Sequence, residues 1–130
     1  MNNNIPETMN ISILNKPFEM ELKEVDVPKL GPTDVLVKVM AVGVCGSDVH
    51  YYEHGRVGEF VVEKPLILGH ECSGIVADIG SKVTHFKPGD RVAIEPGVPC
   101  GECEYCKAGK YNLCCLLYTS LSGLARQTDL

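Results

Sequence analysis

The sequence has no tryptophan, only 6% aromatic residues, no apolar run near the length of a membrane helix, and no G-x-G triplet in its 130 residues. Each absence excludes something. A membrane helix needs roughly 20 consecutive apolar residues, and the opening "MNNNIPET" lacks the basic start and apolar run of a signal peptide. A cytoplasmic chain with no membrane association is expected. Without a G-x-G there is no glycine-rich phosphate turn with which a βαβ unit grips a dinucleotide, so no cofactor-binding residue is expected here. Basic residues are also in short supply. The net charge is -5, and the Lys and Arg are scattered among acids, which excludes the dense positive patch that nucleic acid requires.

What is present suits one domain with a real core, since domains run to roughly 100 to 150 residues. Hydrophobic residues make up 45%, and 13 Gly and 8 Pro are dispersed along the chain, a pattern of short strands and turns rather than of a helix bundle. "MNISILN", "FEMELKEVDVP" and "DVLVKVMAVGV" alternate apolar and polar positions with the period of a half-buried strand. "PKLGPTD" and "KPGD" are turns, and "SGIVADIG" and "RVAIEPG" are further strands. Ser47 and Asp48 are expected to open a single helical turn that "HGRVGE" ends. The fold class is mainly β, a small barrel or sandwich. No internal repeat is visible.

Cysteine is abundant. Five of the seven thiols lie in "VPCGECEYCKAGKYNLCC". A reducing compartment and an odd count argue against a disulfide framework. Cys100-x2-Cys103-x2-Cys106-x7-Cys114 offers four thiolates from a short loop, the donor set of a closed, structural tetrahedral zinc. Gly101 and Gly109 give the loop its backbone freedom, and the ion replaces a core that so polar a segment cannot build. The competing explanation is free or redox-paired thiols. Cys115 is spare, because a residue next to a ligand cannot easily turn to the same ion.

A sparser set comprises Cys45 in "GVCGSDVHYY" and His70 with Glu71 in "ILGHECSG". Taken singly, such a Cys is ordinarily a small buried residue and such a His a hydrogen-bonded one. Together they offer the three ligands of a catalytic zinc with an open position. Gly46 and Gly69 flank them and would let the backbone approach the metal. Ser47 and His50 lie within a turn of Cys45 and could relay a proton to solvent, unless Ser47 only caps the helix. Tyr51 and Tyr52 suit either a pocket lining or the core.

These residues resemble the zinc-dependent medium-chain dehydrogenases, in particular the polyol group of sorbitol, L-iditol and xylitol dehydrogenases. "CGSDVHYYEHGRVGEFVVEKPLILGHECSGIV" and "DRVAIEPGVPCGECEYCKAGKYNLC" carry the likeness, which runs from about Leu14 to Cys114. It implies a GroES-like β-barrel with a zinc-binding cysteine lobe. Cys45 and His70 would bind the catalytic zinc with Glu71 as a direct or outer ligand, Ser47 and His50 would relay the proton, and Tyr51 would lie near the substrate. Cys100, Cys103, Cys106 and Cys114 would hold the structural zinc. The family's reaction would convert a small polyol to a ketose with NAD, in a homo-oligomer that is often a tetramer.

The chain departs from that family in two ways. It has no Rossmann domain, so activity is not expected of it alone. From Cys115, where the family commonly has proline, the stretch "LLYTSLSGLARQTDL" resembles nothing expected there. Residues 1–114 are therefore taken as a partial catalytic domain, and 115–130 as a tail arising from a frameshift or artefact, a genuine short isoform being the alternative. Cys72 stands where alanine is common. The competing functions are another zinc alcohol or threonine dehydrogenase and, in a different class, a zinc-stabilised interaction module.

Overall fold

The structure is a computed structural model, and it describes residues 5–114 and residue 116. The tail beyond Cys114, Leu116 apart, lies outside the described residues, as does Cys115. The chain divides into two compact units, one up to Ile94 and one from Glu95.

The first unit is mainly β, as the alternating patterns require. β1 (Thr8–Lys16) and β2 (Glu19–Asp26) form an antiparallel hairpin, and β6 (Leu66–Ile67) pairs the other edge of β1. β3 (Val35–Gly43), β7 (Glu71–Ile79) and β8 (Arg91–Ala93) make a second antiparallel sheet in the order β3-β7-β8. A two-stranded pair, β4 (Arg56–Val57) with β5 (Phe60–Val61), follows the helix α1 (Gly46–His54).

Both expected turns are present, and an aspartate ties each of them. Asp34 accepts the Gly31 amide at 2.7 Å, and Asp90 accepts the Lys87 amide at 3.0 Å while its other oxygen meets Lys87 Nζ at 3.0 Å. These side chains take up amides that would otherwise face water.

Leu14 at 0% and Val76 at 1% exposure are the fully buried aliphatic anchors, one from each three-stranded sheet. The register places Val37 opposite Val76 and Val39 opposite Gly74. A Cβ on Gly74 would meet the Lys38 carbonyl oxygen, so glycine is what lets β3 and β7 close to this spacing.

The helix is longer than the single turn expected, nine residues in all. Asp48 lies at its third position and accepts the Cys45 amide at 2.9 Å through Oδ2, while Cys45 is the N-cap. That reciprocal arrangement is a capping box with cysteine in the serine position. Gly55 ends the helix in the left-handed region at φ 68° and donates to the Tyr51 carbonyl at 2.9 Å. The tip of the β1-β2 hairpin docks on the helix: Phe18 donates its amide to the Tyr52 carbonyl at 2.8 Å and stacks edge-on against that ring at 5.2 Å.

The second unit contains α2 (Glu104–Lys107) and a 3-10 turn over Tyr111–Leu113. Gly101 at φ 76° and Gly109 at φ 73° take conformations that L-residues avoid, as the cysteine spacing led us to expect.

Candidate metal centre

In the first unit, ligand atoms of Cys45, His70 and Glu71 all lie within 4.8 Å of one another. The fold explains the meeting. Cys45 leaves the end of β3 as the cap of α1, while His70 and Glu71 enter β7, whose first residue pairs with Gly43. Gly43 has no side chain to obstruct Glu71: a Cβ there would lie 2.7 Å from Glu71 Oε2. Gly69 has φ 101°, which turns the chain so that His70 faces the group. A Cβ on Gly46 would meet no protein atom within 4 Å, so no contact within the protein requires glycine there.

Sequence reasoning missed the residue that links the set. Asp48 is buried, and its Oδ1 lies 3.4 Å from His70 Nδ1 while Oδ2 holds the Cys45 amide. A carboxylate on Nδ1 fixes that nitrogen as the donor and leaves Nε2 free for an ion. The available signal was an aspartate three residues after a cysteine that follows an apolar strand. Cys72, beside the group, has its thiol pushed up by burial and then by the charge of Asp48.

Ser47 occupies the second position of α1 and does not cap it, so its hydroxyl is not spent on the helix end. His50, one turn further on, is exposed. Tyr51 is 7% exposed and packs in the core, and burial raises its hydroxyl pKa. Tyr52 instead lines a cavity of about 330 Å³ with Met20, Val42, Val49, Ser12 and Asp48.

The second unit brings its four thiols together equally well. The sulfurs of Cys100, Cys103, Cys106 and Cys114 lie mutually within 4.8 Å. Two of the separations are 3.5 Å, from Cys103 to Cys106, and 3.9 Å, from Cys100 to Cys106. Four sulfurs at a Zn–S distance of about 2.3 Å in a tetrahedron stand roughly 3.8 Å apart, so the donor set fits a zinc ion. Amides of Glu102 and Cys103 point at Cys100 Sγ at 3.4 and 3.3 Å, and these bonds bring its thiol down to about 6. Cys106 is pushed the other way, by desolvation first and then by its contact with Cys103.

The described residues thus present, on a mainly β scaffold, one cluster of three donors and one of four thiols whose spacing could hold metal ions. Comparison with known proteins gives the family: residues 31–128 match the alcohol dehydrogenase GroES-like domain, and the chain belongs to that family. It is 54% identical over 114 residues to a sorbitol dehydrogenase of Bacillus subtilis, covering 88% of this chain and 32% of that protein. A probable D-xylulose reductase A of Emericella nidulans is 53% identical over 116 residues, covering 88% of this chain and 32% of that one. Among solved structures, an Escherichia coli oxidoreductase/dehydrogenase of unknown specificity, described as involved in membrane biogenesis, superposes with a TM-score of 0.76. It is 46% identical over 86% of this chain and 33% of its own. The chain thus spans about a third of the length of the relatives it matches.

Proposed function

We propose that this chain supplies the zinc-binding catalytic part of a polyol dehydrogenase, which oxidises sorbitol, L-iditol or xylitol to the ketose with NAD in the cytoplasm. The observation that carries this is the convergence of Cys45, His70 and Glu71, with Asp48 bracing two of them. It is supported by the likeness to a sorbitol dehydrogenase and a probable D-xylulose reductase.

Cys45, His70 and Glu71 would hold the catalytic zinc, and Cys100, Cys103, Cys106 and Cys114 the structural one. When bound, the catalytic ion would supply Lewis acidity that stabilises the alkoxide of the substrate hydroxyl. The chain's own groups do the rest. Ser47 would take the hydroxyl proton, and His50, exposed one turn along, would pass it to solvent. Tyr51 is assigned to the substrate side as a packed wall. The cavity beside Tyr52 is not assigned to the substrate, because a polyol needs a polar partner for nearly every carbon and Ser12, Asp48 and Tyr52 are the few polar residues among its apolar walls. Hydride transfer would require the nucleotide-binding part that this sequence does not contain, so the chain alone would be inactive. A homo-oligomer is proposed for the longer protein.

A chimera tests the reading. Residues 14–114 of this chain would replace the matching segment of the Bacillus subtilis sorbitol dehydrogenase. NAD-dependent oxidation of sorbitol or xylitol well above that of threonine or ethanol, lost in Cys45→Ala, is the expected result. A folded, zinc-replete chimera that prefers threonine or ethanol, or that keeps its activity in Cys45→Ala, would overturn it.

A further inference from the structure

The helix α1 carries a second arrangement of metal-ligating side chains. Its residues 50–54 read His-Tyr-Tyr-Glu-His, so two imidazoles stand four positions apart on a helix with a carboxylate next to the second. Residues at i and i+4 lie one above the other on a helix face. The coordinates agree: the His50 and His54 ring centroids are 5.6 Å apart, and Glu53 Oε2 lies 3.8 Å from His54 Nε2.

We propose that His50 and His54, assisted by Glu53, form a surface site for one borderline divalent transition ion of the zinc, nickel and copper class. Paired imidazoles at this spacing are a recurrent ligand arrangement on helices, and imidazole suits these ions. Three further features favour it. Both histidines are exposed, so side-chain rotation can bring their nitrogens to metal–nitrogen distances of about 2.0–2.1 Å without moving the backbone. His54 lies in the last turn of α1, where the carbonyl ends of the helix favour a cation, and His50 stands one turn before it. Finally, Arg56, the nearest positive group in sequence, is turned away to the Gly58 carbonyl at 2.6 and 3.0 Å. No peptidase chemistry is implied, because the residues stand on an open surface. An ion held here would withdraw His50 from the proton relay. That consequence rests on the proposed function, whereas the binding itself does not.

The test uses the full chain with its two clusters already saturated with zinc, titrated with nickel chloride by calorimetry, and NMR of the histidine ring protons. One additional equivalent of nickel is expected, with paramagnetic broadening of the His50 and His54 resonances ahead of those of His85. In His54→Gln the additional equivalent should weaken at least tenfold, and in Glu53→Gln less. Circular dichroism of His54→Gln checks that the helix persists, and His85→Ala should leave the titration unchanged. No additional equivalent in the parent chain, or the same equivalent at the same affinity in a helical His54→Gln, would overturn the proposal.

Discussion

Asp48 uses both carboxylate oxygens on residues that the sequence separates widely: Oδ2 accepts from the amide of Cys45 and Oδ1 faces His70 Nδ1. It therefore does two jobs, and substitutions can separate them. Asp48→Asn keeps an oxygen for the Cys45 amide but loses the charge beside His70. Asp48→Ala loses both. Partners of this kind typically contribute 10- to 100-fold to metal affinity, so competition with a zinc-responsive dye should show that loss at the Cys45–His70–Glu71 group in both variants. Only Asp48→Ala should also show the helix-cap cost of about 0.5–2 kcal/mol. Equal zinc affinity in all three proteins would refute the linkage. A second residue-scale expectation concerns Cys100, whose thiol is lowered to about 6 by two backbone amides. A lowered thiol pKa means that thiolate predominates above about pH 6 and is lost as pH falls through that value, so in the metal-free chain Cys100 should be alkylated by iodoacetamide before Cys106 at pH 7. Mass mapping of the first-modified peptide checks this. Added zinc should protect both. The residues that converge in the two clusters were legible because Cys, His and clustered thiols are chemically distinctive. Asp48 was not, because an aspartate near a helix start is common and its second partner comes from a different strand.

At the scale of elements, the closeness of β3 and β7 depends on Gly74, whose missing side chain leaves room for the Lys38 carbonyl. Backbone cannot rotate aside as a side chain can. Gly74→Ala should therefore separate the strands, at a cost of about 1–3 kcal/mol, visible as a lower urea midpoint with an unchanged slope. Gly46→Ala, where nothing stands in the way and helix propensity gains, should be neutral or slightly stabilising, which makes it the internal control. The long strands were readable from the alternation of apolar and polar residues in their sequence, but only β7 shows a matching alternation of burial; in β2 Met20 and Leu22 are exposed and Val25 alone is half-buried. β4, β5 and β6 have two residues each, too few to show a period, and only pairing with distant partners makes them strands. β8 is shorter than "RVAIEPG" suggested, because pairing with β7 stops at Ala93. α1 runs beyond the single turn expected. Its sequence has little apolar periodicity, and the cap from Cys45 and Asp48 with the Gly55 stop defines it instead.

At the scale of the whole molecule, the two units are held by different means. The unit up to Ile94 has Leu14, Tyr51 and Val76 buried and an extensive β3-β7 ladder, whereas in the unit from Glu95 the one buried side chain among the described residues is Cys114. A segment with so little apolar burial cannot offset the entropy of ordering its chain. Its sulfurs are nevertheless spaced for an ion, and an ion bound only by the folded form adds its binding free energy to folding. Removing zinc should thus act unequally. Hydrogen exchange in the presence of a strong chelator should release the amides of Lys107, Ala108 and Cys114, which donate to the carbonyls of Cys103, Glu104 and Tyr111. The amide of Val76, which donates to the Asp90 carbonyl at 2.8 Å, and those of the β3-β7 ladder should stay protected, because a sheet and not an ion holds them. Cys106→Ser should reproduce the selective loss without chelator, while Cys45→Ser should leave the second unit protected and lower zinc content by one equivalent. If the chelated chain kept slow exchange at Ala108 and Cys114, the cysteine lobe would fold without metal, and its four thiols would need a different explanation. If both units lost protection together, the three-ligand group beside β7 would be structural for its sheet as well as a site for chemistry.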